Sequence, residues 1–329
     1  MKKKIAVITG GEASEVGIAL KSAAVAFKYL DKSLFDVYLI VIKGSQWWYI
    51  ENEKEISIID KNDFSLSINN VKIFFDGVFI AIHGTPAEDG KLQGYFDMLK
   101  IPYNCCGVLT AALTFDKYKT KVFLSQYGIK TAKSVLGYKW QPIDEIYNRV
   151  INSLNFSVFV KPNKNGSSYG ASKVNDILKL KEAILLALEY DQEVIIEEFV
   201  KGREVTNGVF TIQGEIKALP ITEILTTNEF FDYKAKYEGA SKEVTPADID
   251  YELTSKIQKT SSFIYSILDF KGMCRVDYII KDDEFYMLEV NSIPGMSEES
   301  IIPQQAHAAG YDLTSFFTNS IIECLRKKD

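Results

Sequence analysis

Apolar and polar positions follow two rhythms along the chain, and each change of rhythm marks an element. KIAVITGG (4–11) is a short apolar run closed by two glycines, the form of a buried strand ending in a turn. ASEVGIALKSAAVAFKYL (13–30) then repeats apolar side chains at helical spacing through Val16, Ala19, Leu20, Ala23, Ala24 and Phe27. FDVYLIVI and GVFIAIHG are further strands, and KLQGYFDMLKIPYN is a helix that stops before Pro102. This alternation predicts an α/β fold with a parallel sheet covered by helices on both faces. Binding loops belong at the carboxyl ends of such strands, where TGGEASE (9–15) and HGTPAEDG (83–90) fall.

A second unit begins near Thr110. Asp116 is placed to cap the helix DKYKTKVFLSQYG, which ends at Gly128. QPIDEIYN reads as a polar joint, FSVFVKP as a strand, ILKLKEAILLALEYD as an amphipathic helix and QEVIIEEFV as another strand. Between the first strand and the helix lies the glycine loop of FVKPNKNGSSYGASKV (159–174). It lacks the Gly-Lys-Ser/Thr ending of a Walker loop. It also joins two strand-like pieces, which predicts a hairpin flap whose backbone N–H groups can line an anion. Lys161 ends the strand before this flap, and Lys117 occupies the first turn of the preceding helix. A cation there opposes the helix dipole, which leaves two readings, an ordinary exposed lysine or a phosphate contact.

The last third starts near Gly202 with strands EVTNGVFTI and EIKALPITEI, a polar loop rich in aromatics (226–248), and a helix over YELTSKIQKTSSFIYSIL. It ends in a hairpin, CRVDYII and FYMLEVN around the turn KDDE. Side chains alternate along a strand, so Arg275 and Asp277 share one face, and Glu289 and Asn291 share one face of the partner. Oxygen ligands of this kind suit Mg²⁺, which keeps waters and takes nucleotide phosphates as its other ligands.

Composition narrows the chemistry. Net charge is −6 across 329 residues, with no block of lysine and arginine, which argues against a nucleic-acid partner. No apolar run is long enough to span a membrane, and the start of the chain reads as a strand rather than a leader. Cys105, Cys106, Cys274 and Cys324 fit neither a zinc motif nor a disulfide framework and read as reduced thiols of a cytoplasmic protein. With only His83 and His307, a histidine-rich metal site is excluded.

TGGEASE, HGTPAEDGKLQG, TFDKYKTK, VKPNKNGSSYGASKV, IIEEFVKGREVT, FFDYKAKYEG, CRVDYI, EVNSIPGM and the distal Ser300 occur in one order along nearly the whole chain. That ordered set resembles the D-alanine–D-alanine ligases of the ATP-grasp superfamily. The resemblance implies a three-domain ATP-grasp fold: an N-terminal α/β substrate domain (1–106), a central domain (107–200) and a C-terminal domain (201–329). ATP would be gripped between the last two. Lys117 and Lys161 would meet its phosphates, under a flap carrying Ser167 and Ser168. Glu197, Glu198, Phe199 and Val200 would frame adenine, with Phe230 and Leu288 in the same cofactor site, and Glu204 would take the ribose hydroxyls. Asp277, Glu289 and Asn291 would hold two Mg²⁺ ions, with Mn²⁺ an acceptable substitute.

The same resemblance implies the reacting groups. Glu15 would receive the ammonium of the first D-alanine, with His83 near it. Arg275 and the Gly295 N–H would face the developing oxyanion. Lys236 would contact the nucleotide and, with Ser300, bind the second substrate's carboxylate. Ser167 and Tyr237 would link two loops to Glu15. Tyrosine at 237, where depsipeptide-forming relatives are expected to carry phenylalanine, favours an amine acceptor. The expected product is D-alanyl-D-alanine for peptidoglycan, made by a cytoplasmic homodimer. Ala13, Val16, Ile18, Ala19 and Pro86 depart from the family's usual pattern and leave the hydrogen bonding around Glu15 open. Two alternatives stand: an ATP-grasp ligase for another carboxylate and amine, or a nucleotide-binding relative without turnover.

Overall fold

The computed structural model describes residues 2–11, 15–166, 169–226 and 241–326. The chain opens with β1 (Lys3–Gly10), α1 (Val16–Tyr29), β2 (Phe35–Lys43), β3 (Gln46–Glu51), β4 (Lys54–Ile58), β5 (Leu66–Ile68), β6 (Val71–Ile73), β7 (Gly77–Ile80) and α2 (Lys91–Leu99). The first sheet has the order β4-β3-β2-β1-β7, and only β2, β1 and β7 are parallel. The expected parallel sheet therefore carries two antiparallel edge strands. Residues 46–58, which the strand-helix reading passes over, supply them, the aromatic and β-branched Trp47, Trp48, Tyr49 and Ile50 being residues that suit a strand.

Gly10 and Gly11, with φ of +97° and +105°, turn the chain out of β1 toward α1. A Cβ at Gly10 would stand 2.2 Å from the Ile42 carbonyl oxygen, so no larger residue fits there. Helix α1 buries Ala19, Ser22, Ala23 and Ala26, while Leu20 is exposed. The buried stripe thus runs one step aside from the expected one, and a serine occupies it.

Next come α3 (Val108–Phe115), α4 (Lys117–Ser125), β8 (Ser134–Tyr138), α5 (Ile143–Ser153), β9 (Val158–Pro162), β10 (Ser172–Val174), α6 (Leu180–Tyr190) and β11 (Glu193–Glu198). Asp116 caps α4 as expected, accepting from the Lys119 N–H. The supposed joint QPIDEIYN instead opens α5, since Ile146 and Val150 give it an apolar face and Asp144 and Glu145 complement its N-terminus. The second sheet, β10-β9-β11-β8, is antiparallel, and β9 pairs directly with β10 across the glycine loop. The hairpin-flap expectation is met.

The remainder comprises β12 (Arg203–Ile212), β13 (Glu215–Thr226), β14 (Ser241–Val244), α7 (Tyr251–Ile267), β15 (Met273–Lys281), β16 (Glu284–Asn291), α8 (Ile301–Ala308) and α9 (Leu313–Leu325). The third sheet is antiparallel, β14-β13-β12-β15-β16.

Three apolar cores result. One joins Ile5, Ile8, Phe79 and Ile80 of the first sheet to Phe316, Phe317 and Ile321 of α9. Another packs Leu124 of α4 with Val205, Ile257, Val276 and Met287 under the third sheet. The third lies wholly within residues 135–196, with Val158, Val160, Ile184 and Val194 at its centre. All four cysteines are free thiols, and Cys105, Cys106 and Cys274 are buried.

Candidate active site

A cleft opens between the second and third sheets. Its floor is set by strand register. Asp277 pairs with Glu289, and Arg275 with Asn291, across β15 and β16, so all four side chains share the face that alternation assigns them. Asp277 accepts from Arg275 twice, Nε to Oδ1 and Nη2 to Oδ2, both at 2.8 Å. The Thr206 hydroxyl, on the neighbouring strand β12, donates to Asp277 as well.

Two lysines face that floor from different elements. Lys117 begins α4; its Nζ donates to the Asn165 carbonyl at 2.7 Å and lies 3.7 Å from Glu289 Oε2. Lys161 projects from β9 and pairs with Glu197 Oε2 at 2.8 Å. Lys121, one helical turn beyond Lys117, meets the other Glu197 oxygen. Burial alone would raise the Glu197 carboxyl, but the two ammonium groups beside it bring it down to about 2. Burial pushes Lys121 down, offset only in part by Glu197. For Lys161 burial is outweighed by Glu197 and Glu289, and its pKa is raised. Glu197 is therefore an anion between two cations. Sequence reasoning passed over Lys121; its place four residues after Lys117, on the same helix face, was the available signal.

Part of the cleft wall is apolar, made by Phe159, Phe199, Val200, Ile279 and Leu288, and Glu204 lines the cleft as well. Lys173 lies over the Phe199 ring, its Nζ 4.4 Å from the centroid. Glu198 contributes to the wall, but its carboxylate is turned to Asn155, accepting from the backbone N–H and the side-chain amide at 2.9 Å each.

The root of the flap is fixed by Asn163, which is fully buried. Its Nδ2 donates to Asp116 Oδ1 at 2.8 Å and to Glu193 Oε2 at 2.7 Å, and its Oδ1 accepts from the Tyr118 N–H at 2.9 Å. One amide thus ties β9, β11 and the start of α4. Past it, Gly166 reaches the start of α1. A Cβ there would stand 2.8 and 2.9 Å from the two carboxylate oxygens of Glu15.

A smaller recess continues the cleft past Lys117, Gly166 and Glu289 to Asn291, Ser292 and Glu88. Glu88 was not singled out in the sequence, although HGTPAEDG contains it. Burial and the Glu15 carboxylate push it up to about 8. His83 is buried beside it, with Nε2 3.1 Å from Ser22 Oγ and Nδ1 2.9 Å from the Ile293 carbonyl oxygen. Burial holds its pKa below the usual value, against the opposing pull of Glu15. Gly295 and Ser300 adjoin: a Cβ on Gly295 would lie 2.9 Å from Ser300 Oγ, which is 2.8 Å from Ser297 Oγ.

Lys117, Lys161, Glu197, Glu198, Phe199, Val200, Glu204, Arg275, Asp277, Leu288 and Glu289 thus line one cleft. Asn291 and Glu15 border its extension. Ser167, Ser168, Phe230, Lys236 and Tyr237 lie outside the described residues. Among the described residues no three His, Cys, Asp or Glu side chains form a metal cage. Asp277, Glu289 and Asn291 instead present their oxygens along one face of a single strand pair. No helix among the described residues is long and apolar enough to cross a membrane.

Comparison with known proteins agrees with this geometry. Residues 4–106 match the family model described as D-ala D-ala ligase N-terminus, and residues 123–323 that described as D-ala D-ala ligase C-terminus. The chain is 45% identical to a D-alanine–D-alanine ligase of Parabacteroides distasonis, covering 100% of this chain and 99% of that protein. It is 48% identical to one of Flavobacterium johnsoniae, over 97% of this chain and 98% of that protein. Among solved structures, the VanG D-Ala:D-Ser ligase from Enterococcus faecalis superposes with a TM-score of 0.87 at 32% identity, covering 98% and 99% of the two chains.

Proposed function

Because the chain belongs to the D-alanine–D-alanine ligase family, we propose that it joins two molecules of D-alanine, consuming ATP and releasing ADP and phosphate. The observation that carries this reading is the paired register of Asp277 with Glu289 and Arg275 with Asn291, facing Lys117 and Lys161 across one cleft.

A carboxylate is a poor electrophile, so the first D-alanine must be activated as an acyl phosphate before an amine attacks it. Glu15 holds its ammonium, and the apolar wall of the cleft with Phe199 and Leu288 takes adenine. Glu204 takes the ribose. Lys117 and Lys161 neutralise the transferring phosphoryl group and hold it in line. Asp277, Glu289 and Asn291 would hold Mg²⁺, which when bound would supply charge neutralisation of the phosphates. The second D-alanine's amine then attacks the acyl carbon. Arg275 and the Gly295 N–H stabilise the oxyanion of the tetrahedral species, a role in which losing one donor costs about 10²–10³-fold in rate. Ser300 and Lys236 orient the second carboxylate, and Ser167 and Tyr237 complete the closed site. The flap rooted at Asn163 excludes water, which would otherwise hydrolyse the acyl phosphate.

In this reading residues 1–106, 107–200 and 201–329 act as substrate, central and C-terminal domains of a cytoplasmic homodimer. The test is phosphate release from Mg·ATP with D-alanine, L-alanine, D-alanine plus D-lactate, and D-alanine plus D-serine, with products identified by mass spectrometry. Release with D-alanine alone, yielding the dipeptide, is the expected result. ATP binding without release on D-alanine would overturn it.

A further inference from the structure

Ser22 is completely buried in a stripe of α1 otherwise made of alanines, Ala19, Ala23 and Ala26. A hydroxyl is costly there unless it is hydrogen-bonded, and Ser22 Oγ has two partners. It lies 3.1 Å from the Met296 N–H nitrogen and 3.1 Å from His83 Nε2. The directions follow from chemistry. A backbone N–H only donates, so Ser22 Oγ accepts from Met296 and has its own proton for His83 Nε2. On the ring's other side the Ile293 carbonyl only accepts, at 2.9 Å, so Nδ1 carries the imidazole proton. The chain of donors runs Met296 N–H to Ser22, Ser22 O–H to His83 Nε2, and His83 Nδ1–H to Ile293.

Both ends of that chain land on one four-residue stretch, Ile293 to Met296, which contains Gly295. The middle is anchored on the helix that begins just after Glu15 and on the loop after β7 that carries His83. Each imidazole nitrogen already has a protein partner, so His83 has no nitrogen left to offer a substrate. We infer that Ser22 and His83 are positioning residues that fix the Gly295 N–H relative to Glu15, setting the oxyanion contact for acyl transfer. This rests on the ligase reading above.

The test uses the full-length enzyme. The chain has only two histidines, so ¹⁵N-histidine labelling with a His307→Gln variant for assignment isolates the His83 ring. A protonated Nδ1 and a hydrogen-bonded, unprotonated Nε2 are expected in the wild type; a protonated Nε2 overturns the inference. Ser22→Ala is expected to lower kcat for dipeptide by about 10–100-fold while leaving ATP affinity near wild type, with a lower Tm because the buried Met296 N–H and His83 Nε2 lose their partner. It is also expected to raise the phosphate released per dipeptide above one, as acyl phosphate is lost to water. Full kcat with tight coupling in Ser22→Ala overturns the role. Should that variant not fold, the wild-type tautomer still decides. Wild-type phosphate release with no dipeptide from D-alanine would instead fault the ligase reading and leave the tautomer result standing.

Discussion

Arg275 and Asp277, two residues apart on β15, are locked by two parallel hydrogen bonds of 2.8 Å each. Thr206 adds a third donor to the same carboxylate. Asp277 is therefore oriented before any cation arrives. Its register partner Glu289 is more open, with 29% of its side chain exposed, and is the carboxylate whose charge can be removed with least effect on packing. Glu289→Gln is expected to lower ATP turnover by about 10²-fold or more with Tm little changed. Phosphate release and thermal melts check this, and unchanged turnover would remove Glu289 from the metal set.

Gly166 approaches Glu15 so closely that an added Cβ would sit 2.8 Å from Oε2, so a methyl group there obliges the Glu15 carboxylate or the flap to shift. Gly166→Ala is expected to lower kcat by about 10²-fold through displacement of the flap, leaving the denaturation midpoint almost unaltered. A variant with wild-type kcat would show that the closed contact is not used in turnover.

Asn163 serves two carboxylates and one backbone N–H from a fully buried position. Replacing it with the similarly sized leucine strands those partners. Asn163→Leu should cost about 1–3 kcal/mol of stability and raise the KM for ATP more than it lowers kcat, because the approach of Lys117 to the flap root is lost. Urea titration and steady-state kinetics separate the two effects.

Lys121, Glu197 and Lys161 form a buried charge triad. Lys121→Met leaves Glu197 with one cation and should destabilise the fold by about 3–5 kcal/mol. The triad also fixes an acid dependence. The Glu197 pKa falls from an ordinary 4.5 to about 2 on folding. Its contribution is thus fully present above pH 4.5 and is lost as pH falls toward 2. Wild type and Glu197→Gln should differ in the acid-side pH dependence of stability across that window; parallel acid-unfolding curves would count against it.

Much of this was written locally. Strand alternation puts Arg275, Asp277, Glu289 and Asn291 on one face, and the register keeps them there. The flap was legible because a strand stands on each side of its glycines. Local pattern failed where distant residues decide. Ser22 sits in an apolar stripe because His83 and Met296, far along the chain, offer it partners. Lys121 looks like surface helix until Glu197 arrives from β11. Strands β3 and β4 owe their place to the edge they extend, and α5 to the apolar face it shares with the core of residues 135–196.

Lys117 and Lys161 belong to elements of different cores. Lys117 is on α4, whose Leu124 packs beneath the third sheet, whereas Lys161 is on β9, inside a core closed within residues 135–196. Across the boundary between those cores run Asn163, which bonds to Asp116, Glu193 and the Tyr118 N–H, and the Lys121–Glu197–Lys161 triad. What sets the Lys117–Lys161 spacing is therefore a buried polar network and not apolar packing, so a change in one of those few polar groups reaches both ammonium groups at once.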